Sequence, residues 1–252
     1  MRPKITALTL TYNNQSTIEK HIKSLHFADE IIIIDAYSED ATVKFASEKG
    51  AVVIQRAFDN FSAQRKFAIQ QASHDWIVFF EIEENISKAI AEEIISILSD
   101  SNNIHNAFKV NRNFIFQNKK IKYGAWYDRD VVRVFNKKNN IYDGKLIHER
   151  LQTNGSVGVL KNQIDYNRYE TFDAYNQKLN LDSQLEAKEL YDQKKKPSFY
   201  DFIVRPCSYF FYHYFIRGGF IDKKEGYILA YIHSFSVFKR YLQLWMMYRK
   251  LE

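Results

Sequence analysis

Four consecutive isoleucines, residues 31–34, run directly into a single aspartate, Asp35. Successive side chains of a strand point to opposite faces, so this run puts isoleucine on both sides. Such a strand is stable only where both faces are covered, as in a parallel sheet flanked by helices. The surrounding sequence agrees with that reading. Ile5–Thr11, 51–55 and 75–80 are further short apolar runs. Between them, 15–25, 41–49 and Phe61–Gln71 are polar with apolar residues at helical spacing, and 86–98 follows as another helix. Strand and helix in alternation is the signature of βαβ units and an α/β fold.

Beyond residue 105 the rhythm changes. Segments 107–116, 120–123 and 131–135 read as shorter strands joined by loops such as 136–144, and 170–193 reads as a polar helix. Lys194-Lys195-Lys196-Pro197 marks a boundary, because the residue before proline disfavours helix. The expected division of the 252 residues is a domain over 1–193 and a helical extension over 194–252. The net charge of +6 is uneven: residues 194–252 hold 11 basic and 4 acidic side chains, together with a concentration of Tyr and Phe. A basic, aromatic helical pair suits an anionic membrane surface; packing against the main domain or a second copy of the chain, as a homodimer, is the other reading. Nucleic acid is a poor fit, since the upstream chain is not basic and carries no binding motif. The longest charge-free apolar stretches of the tail, 206–216 and 226–238, fall short of the roughly 20 residues that span a bilayer. The amino terminus carries no signal-like apolar core. The single cysteine, Cys207, excludes an intrachain disulfide and suits a reducing compartment. A cytoplasmic protein, peripheral at the inner face of the membrane, is expected.

Ligands of open α/β sheets bind beyond the carboxyl ends of the strands. Those ends here read Thr11-Tyr12-Asn13-Asn14, then Asp35-Ala36-Tyr37-Ser38-Glu39-Asp40-Ala41-Thr42, then Glu81-Ile82-Glu83-Glu84. Asp35 suits a ribose or a base edge; it also suits an ordinary turn or helix cap. If the chain stays extended, Glu81 and Glu83 face one side while Ile82 turns inward. Two carboxylates so placed hold a hard divalent ion that bridges phosphate oxygens; the alternative is an acidic first turn of the next helix. There is no Gly-rich phosphate loop and no Cys/His set at metal spacing, so dinucleotide, P-loop and zinc readings lack support. A nucleotidyltransferase would need a Gly-rich basic loop where this chain has Thr11-Tyr12-Asn13-Asn14-Gln15.

These pieces, with Phe61-Ser62-Ala63-Gln64-Arg65-Lys66-Phe67-Ala68, Arg133-Val134-Phe135, His148-Glu149, Arg205-Pro206 and Gly218-Gly219-Phe220, resemble the family 2 glycosyltransferases of the GT-A fold. The resemblance is greatest to the branch that builds bacterial lipopolysaccharide core and other surface sugars. It implies a mixed, mostly parallel sheet with flanking helices. It implies inverting transfer of a sugar from a nucleotide-diphosphate donor to a lipopolysaccharide or other glycan acceptor. By it, Thr11 and Asn13 form the nucleotide pocket and Asp35 contacts the nucleoside. Arg65 lies by the donor phosphates. Of the further candidates, Arg133 assists the diphosphate or the acceptor, or is a solvated strand residue, and His148 orients the base, binds a phosphate or is structural. Glu81 and Glu83 take the place of the Asp-X-Asp element that binds Mg2+ or Mn2+, each one methylene longer than the family's aspartate. Glu149 is the expected base; pairing with Arg150 or Arg133 is its structural alternative. A relative that binds nucleotide, sugar or partner without transfer is the alternative function.

Overall fold

The computed structural model describes residues 2–126, 130–142, 151–167 and 172–251. It divides into two compact units, one of residues 1–113 and 129–167, the other of 114–128 and 168–252.

The first unit opens with β1 (Ile5–Thr11), α1 (Ile18–Ser24), β2 (Glu30–Asp35), α2 (Thr42–Glu48), β3 (Val52–Gln55), α3 (Phe61–Gln71) and β4 (Trp76–Phe79). Asn60 sets the start of α3, its side chain accepting the Ala63 N–H at 2.9 Å. A two-residue β5 (Glu84–Asn85), α4 (Lys88–Ser99) and β6 (His105–Phe116) follow; the end of β6 belongs to the second unit, where it pairs with β7 (Lys119–Ile121). The first unit resumes with β8 (Asp130–Asn136), β9 (Asn140–Tyr142), β10 (Leu151–Thr153) and β11 (Ser156–Asn167). Among the described residues the sheet order is β3-β2-β1-β4-β8-β6-β11-β5, and β9 and β10 form a separate antiparallel pair. The β3-β2-β1-β4 pairs are parallel; β4–β8, β6–β8 and β5–β11 are antiparallel.

The isoleucine run behaves as its pattern requires. Ile31 and Ile33 pack on one face with Ile18 and Ile22 of α1 and Ile90 and Ile94 of α4. Ile32 and Ile34 pack on the other face with Ala68 of α3. The chain lays down β1, β2 and β3 in one direction, and α3 then carries it back to β4 on the opposite side of β1. The strand order therefore reverses between β1 and β4, the place where open α/β sheets bind ligands.

The second unit contains α5 (Phe172–Asp192), α6 (Phe199–Phe211), a π turn at Tyr212–Ile216, a 3-10 turn at Gly219–Asp222 and α7 (Lys223–Arg249). The chain breaks at Lys194–Pro197 as its sequence suggests, and Asp201 restarts it by accepting the Ser198 N–H at 2.8 Å. The boundary expected after residue 193 falls inside this unit, between α5 and α6. The reason is packing: Ala187 of α5 shares an apolar cluster with Val237, Tyr241 and Leu244 of α7. Gly226 lets α7 meet the 3-10 turn, since a Cβ there would lie 1.8 Å from the Gly219 carbonyl oxygen. Four strands were not anticipated: the two-residue β5, β9 within the expected loop 136–144, the three-residue β10, and β11, which is 12 residues long.

Candidate active site

The loops that follow β1 and β2 are stitched into one framework. Asn13 donates its N–H to Ser38 Oγ (2.8 Å) and accepts the Glu39 N–H on its side chain (2.9 Å). Asn14 N–H donates to Thr42 Oγ1 (2.7 Å), and Gln15 N–H to Asp40 (3.1 Å). Asp35 lies beneath, fully buried. Its Oδ1 accepts from Thr11 Oγ1 (3.2 Å) and Ser38 Oγ (2.5 Å), and its Oδ2 from the Ser38 N–H (2.8 Å) and Gln55 Nε2 (3.2 Å). A carboxylate offers about four lone-pair sites, so Asp35 as placed organises both loops. Asn13 and Tyr37 both sit in the left-handed region, at φ 53° and 58°. For non-glycine residues this costs on the order of 1–3 kcal/mol each, and such strain gathers at ligand sites. Tyr12 and Tyr37 project from the two loops into solvent.

Across the switch point, the acidic run after β4 does not stay extended. A turn closes on itself: Glu84 N–H donates to the Glu81 carbonyl (3.0 Å), and Glu81 N–H to Glu84 Oε2 (2.9 Å). Glu81 is thereby paired with Glu84, whereas the extended reading paired it with Glu83; Ile82 does pack against the core as expected. Glu84 is fully buried and binds Arg133 through Nε (2.9 and 3.0 Å) and Nη2 (2.8 Å). Arg112 of β6 reaches the same carboxylate at 3.4 Å. Glu81, 26% exposed, meets Arg133 at 2.7 Å, Arg65 at 3.2 Å and Arg112 at 3.7 Å. Burial alone would raise the Glu81 carboxyl, but Arg133, Arg112 and Arg65 together hold it well below the usual carboxylate range. The register of β8 against β6 jumps at Arg133, with Val134 opposite Phe108 and Val132 opposite Lys109. That extra residue aims Arg133 at the acids, the usual effect of a bulge beside a site.

The structure thus brings Thr11, Asn13 and Asp35 together at one strand end, and Arg65, Glu81 and Arg133 at the neighbouring one. Arg112 and Glu84 are additions that the sequence reading missed. Arg112 had a signal: it lies in phase with the buried Phe108, Val110, Phe114 and Phe116 of β6, a charge on an inward face. His148 and Glu149 lie outside the described residues.

The expected Mg2+ or Mn2+ was assigned to Glu81 and Glu83. Glu81 does not suit a dication, which would face three guanidinium groups at roughly 7 kcal/mol each, for about 5 Å and an effective dielectric of about 20. With Glu81 engaged by the arginines, the expected pair leaves only Glu83, half-buried in the turn, so the two carboxylates do not act together on one hard ion.

The residues from the start of β1 through β10 also have a recognisable pattern as a whole. Residues 6–154, more than half of the chain, match the model of Glycosyl transferase family 2. The chain belongs to that family. It is a glycosyltransferase with a GT-A fold. An uncharacterized glycosyltransferase of Rickettsia bellii (strain RML369-C) is 27% identical over 253 residues, covering 96% of this chain and 86% of its own. The lipopolysaccharide core biosynthesis glycosyltransferase LpsC of Rhizobium meliloti (strain 1021) is 26% identical over 261 residues, covering 96% and 95%. The crystal structure of S. aureus TarS 1–349 shares the fold, with a TM-score of 0.51 over 99% of this chain and 92% of that one, at 12% identity.

Proposed function

We propose that this glycosyltransferase moves a sugar, with inversion, from a nucleotide-diphosphate donor to a lipopolysaccharide or other surface glycan at the cytoplasmic face of the membrane. The observation that carries the donor half is the pairing of two features across the β1/β4 switch point. The stitched loops over Asp35 form a floor for a nucleoside. The arginines converge on the acidic turn that follows β4, and β4 lies two strands from β2, about 10 Å at the usual strand spacing, where a diphosphate would follow. The relationship to LpsC supports the acceptor class.

In the reaction, the acceptor hydroxyl oxygen bonds to the anomeric carbon as the bond from that carbon to the diphosphate breaks. The electron pair leaves with the diphosphate and the hydroxyl proton goes to a base. Glu149 is the base that the resemblance assigns. Arg65 and Arg133 stabilise the departing charge.

The second unit supports a membrane location. Phe199, Ile203, Phe211, Phe215 and Ile216 are exposed along α6 and the π turn, and an apolar groove of about 420 Å3 runs between Val204, Phe211 and Ile216. No helix among the described residues is long and apolar enough to cross a membrane. Aromatic side chains mixed with Arg and Lys suit the headgroup layer. Incubating the purified chain with a panel of nucleotide sugars and a truncated lipopolysaccharide core tests the reading. Transfer with inverted anomeric configuration, lost in Glu149→Gln, is expected; a full panel without turnover counts against it.

A further inference from the structure

Glu81 stands where the family would place a metal ligand, yet its carboxylate is held by three guanidinium groups. We propose that Glu81 is an internal counter-ion which the donor's diphosphate displaces, so that Arg65, Arg112 and Arg133 hold the diphosphate without a divalent ion. This rests on the nucleotide-diphosphate donor proposed above.

Three observations carry it. The first is a gradient of burial. The side chains of Arg65, Arg112 and Arg133 are 9%, 7% and 5% exposed and Glu84 is closed off, whereas Glu81 is 26% exposed. Glu81 is therefore the member of the cluster nearest solvent, the one an incoming ligand would meet first. The second is the anchoring of the turn. One backbone bond joins Glu84 N–H to the Glu81 carbonyl, the Glu81 N–H donates to the Glu84 carboxylate, and Glu84 is fixed by Arg133 and Arg112. The Glu81 side chain therefore swings out without unfolding the turn, and Glu84 stays behind to keep the arginines in place. The third is pre-organisation. Arg65 lies over Phe79 at 4.9 Å and Arg112 over Tyr166 at 4.4 Å, so aromatic faces hold both guanidinium planes. Planar guanidinium forks match phosphate oxygens in pairs, and a diphosphate brings more oxygens to the three arginines than the one Glu81 carboxylate it would replace.

Titration calorimetry of the native chain with UDP, GDP, CDP, ADP and dTDP, first in EDTA and then in Mn2+, tests the idea. The nucleotide that binds is expected to do so in EDTA within about threefold of its affinity in Mn2+, with inorganic pyrophosphate competing. Glu81→Gln keeps the side chain's size and removes its charge; it is expected to tighten binding in EDTA by about threefold or more, because no anion has to leave. A metal-ligand role predicts the opposite sign. Binding only in Mn2+, weakened by Glu81→Gln, overturns the inference and leaves the donor reading standing. Binding of no nucleoside diphosphate by folded protein in either buffer overturns both. Should Glu81→Gln fail to fold, the EDTA comparison and the pyrophosphate competition on the native chain decide.

Discussion

His21 on α1 is buried beneath the strand ends, its Nε2 2.9 Å from Thr9 Oγ1. Burial pushes its pKa down from 6.5 to about 4, against a smaller upward pull from the Glu84 backbone. The folded chain keeps this imidazole neutral where the unfolded chain has already taken up a proton. Stability is therefore unaffected by His21 above pH 6.5 and declines as pH falls toward about 4, by about 3 kcal/mol in all. Urea midpoints measured from pH 7 to 4 should fall more steeply for the native chain than for His21→Gln; parallel profiles would count against this. Arg133 carries a different liability. Arg133→Met leaves Glu84 buried with its main partner gone, and about 3–5 kcal/mol of stability should be lost in denaturant unfolding. The sequence showed the acids of this site as a run but not their directions. A four-residue turn turns Glu84 inward, and its partners lie 28 and 49 positions away, so nothing local indicated which acid was buried.

At the scale of elements, β1 and β2 have the bounds their sequence suggests, and α3 does too. In each case a local rule and the global packing agree: β-branched runs covered on both faces, or a capped helix start. β11 was not readable for the converse reason. Its alternation is interrupted by Gly158 and by Lys161-Asn162, and Val159 faces solvent, so only residues 163–167 alternate cleanly. Pairing to distant strands, not propensity, makes it a strand. The double coverage of β2 has a measurable consequence. Ile33→Ala, at a fully buried position, should cost about 2–5 kcal/mol by denaturant titration, while Val52→Ala, at an exposed position of the edge strand β3, should cost far less. Equal losses at the two positions would contradict this picture of the sheet.

The whole molecule joins a family-typical catalytic unit to one whose surface is unusually apolar. α6, the π turn, the 3-10 turn and the start of α7 expose Phe199, Phe211, Phe215, Phe220 and Tyr227, while the sequence from 194 onward carries an excess of seven positive charges. Vesicles containing phosphatidylglycerol should therefore co-sediment the protein, neutral vesicles much less, and Phe211→Ser with Phe215→Ser should weaken the binding about tenfold or more. Binding that ignores lipid charge and both substitutions, together with a concentration-dependent dimer in ultracentrifugation, would point to self-association instead. The chain's only sulfhydryl, Cys207, opens onto the apolar groove of α6. A thiol-reactive fluorophore or nitroxide attached there would report immersion depth from one defined spot, with no engineering of the natural chain.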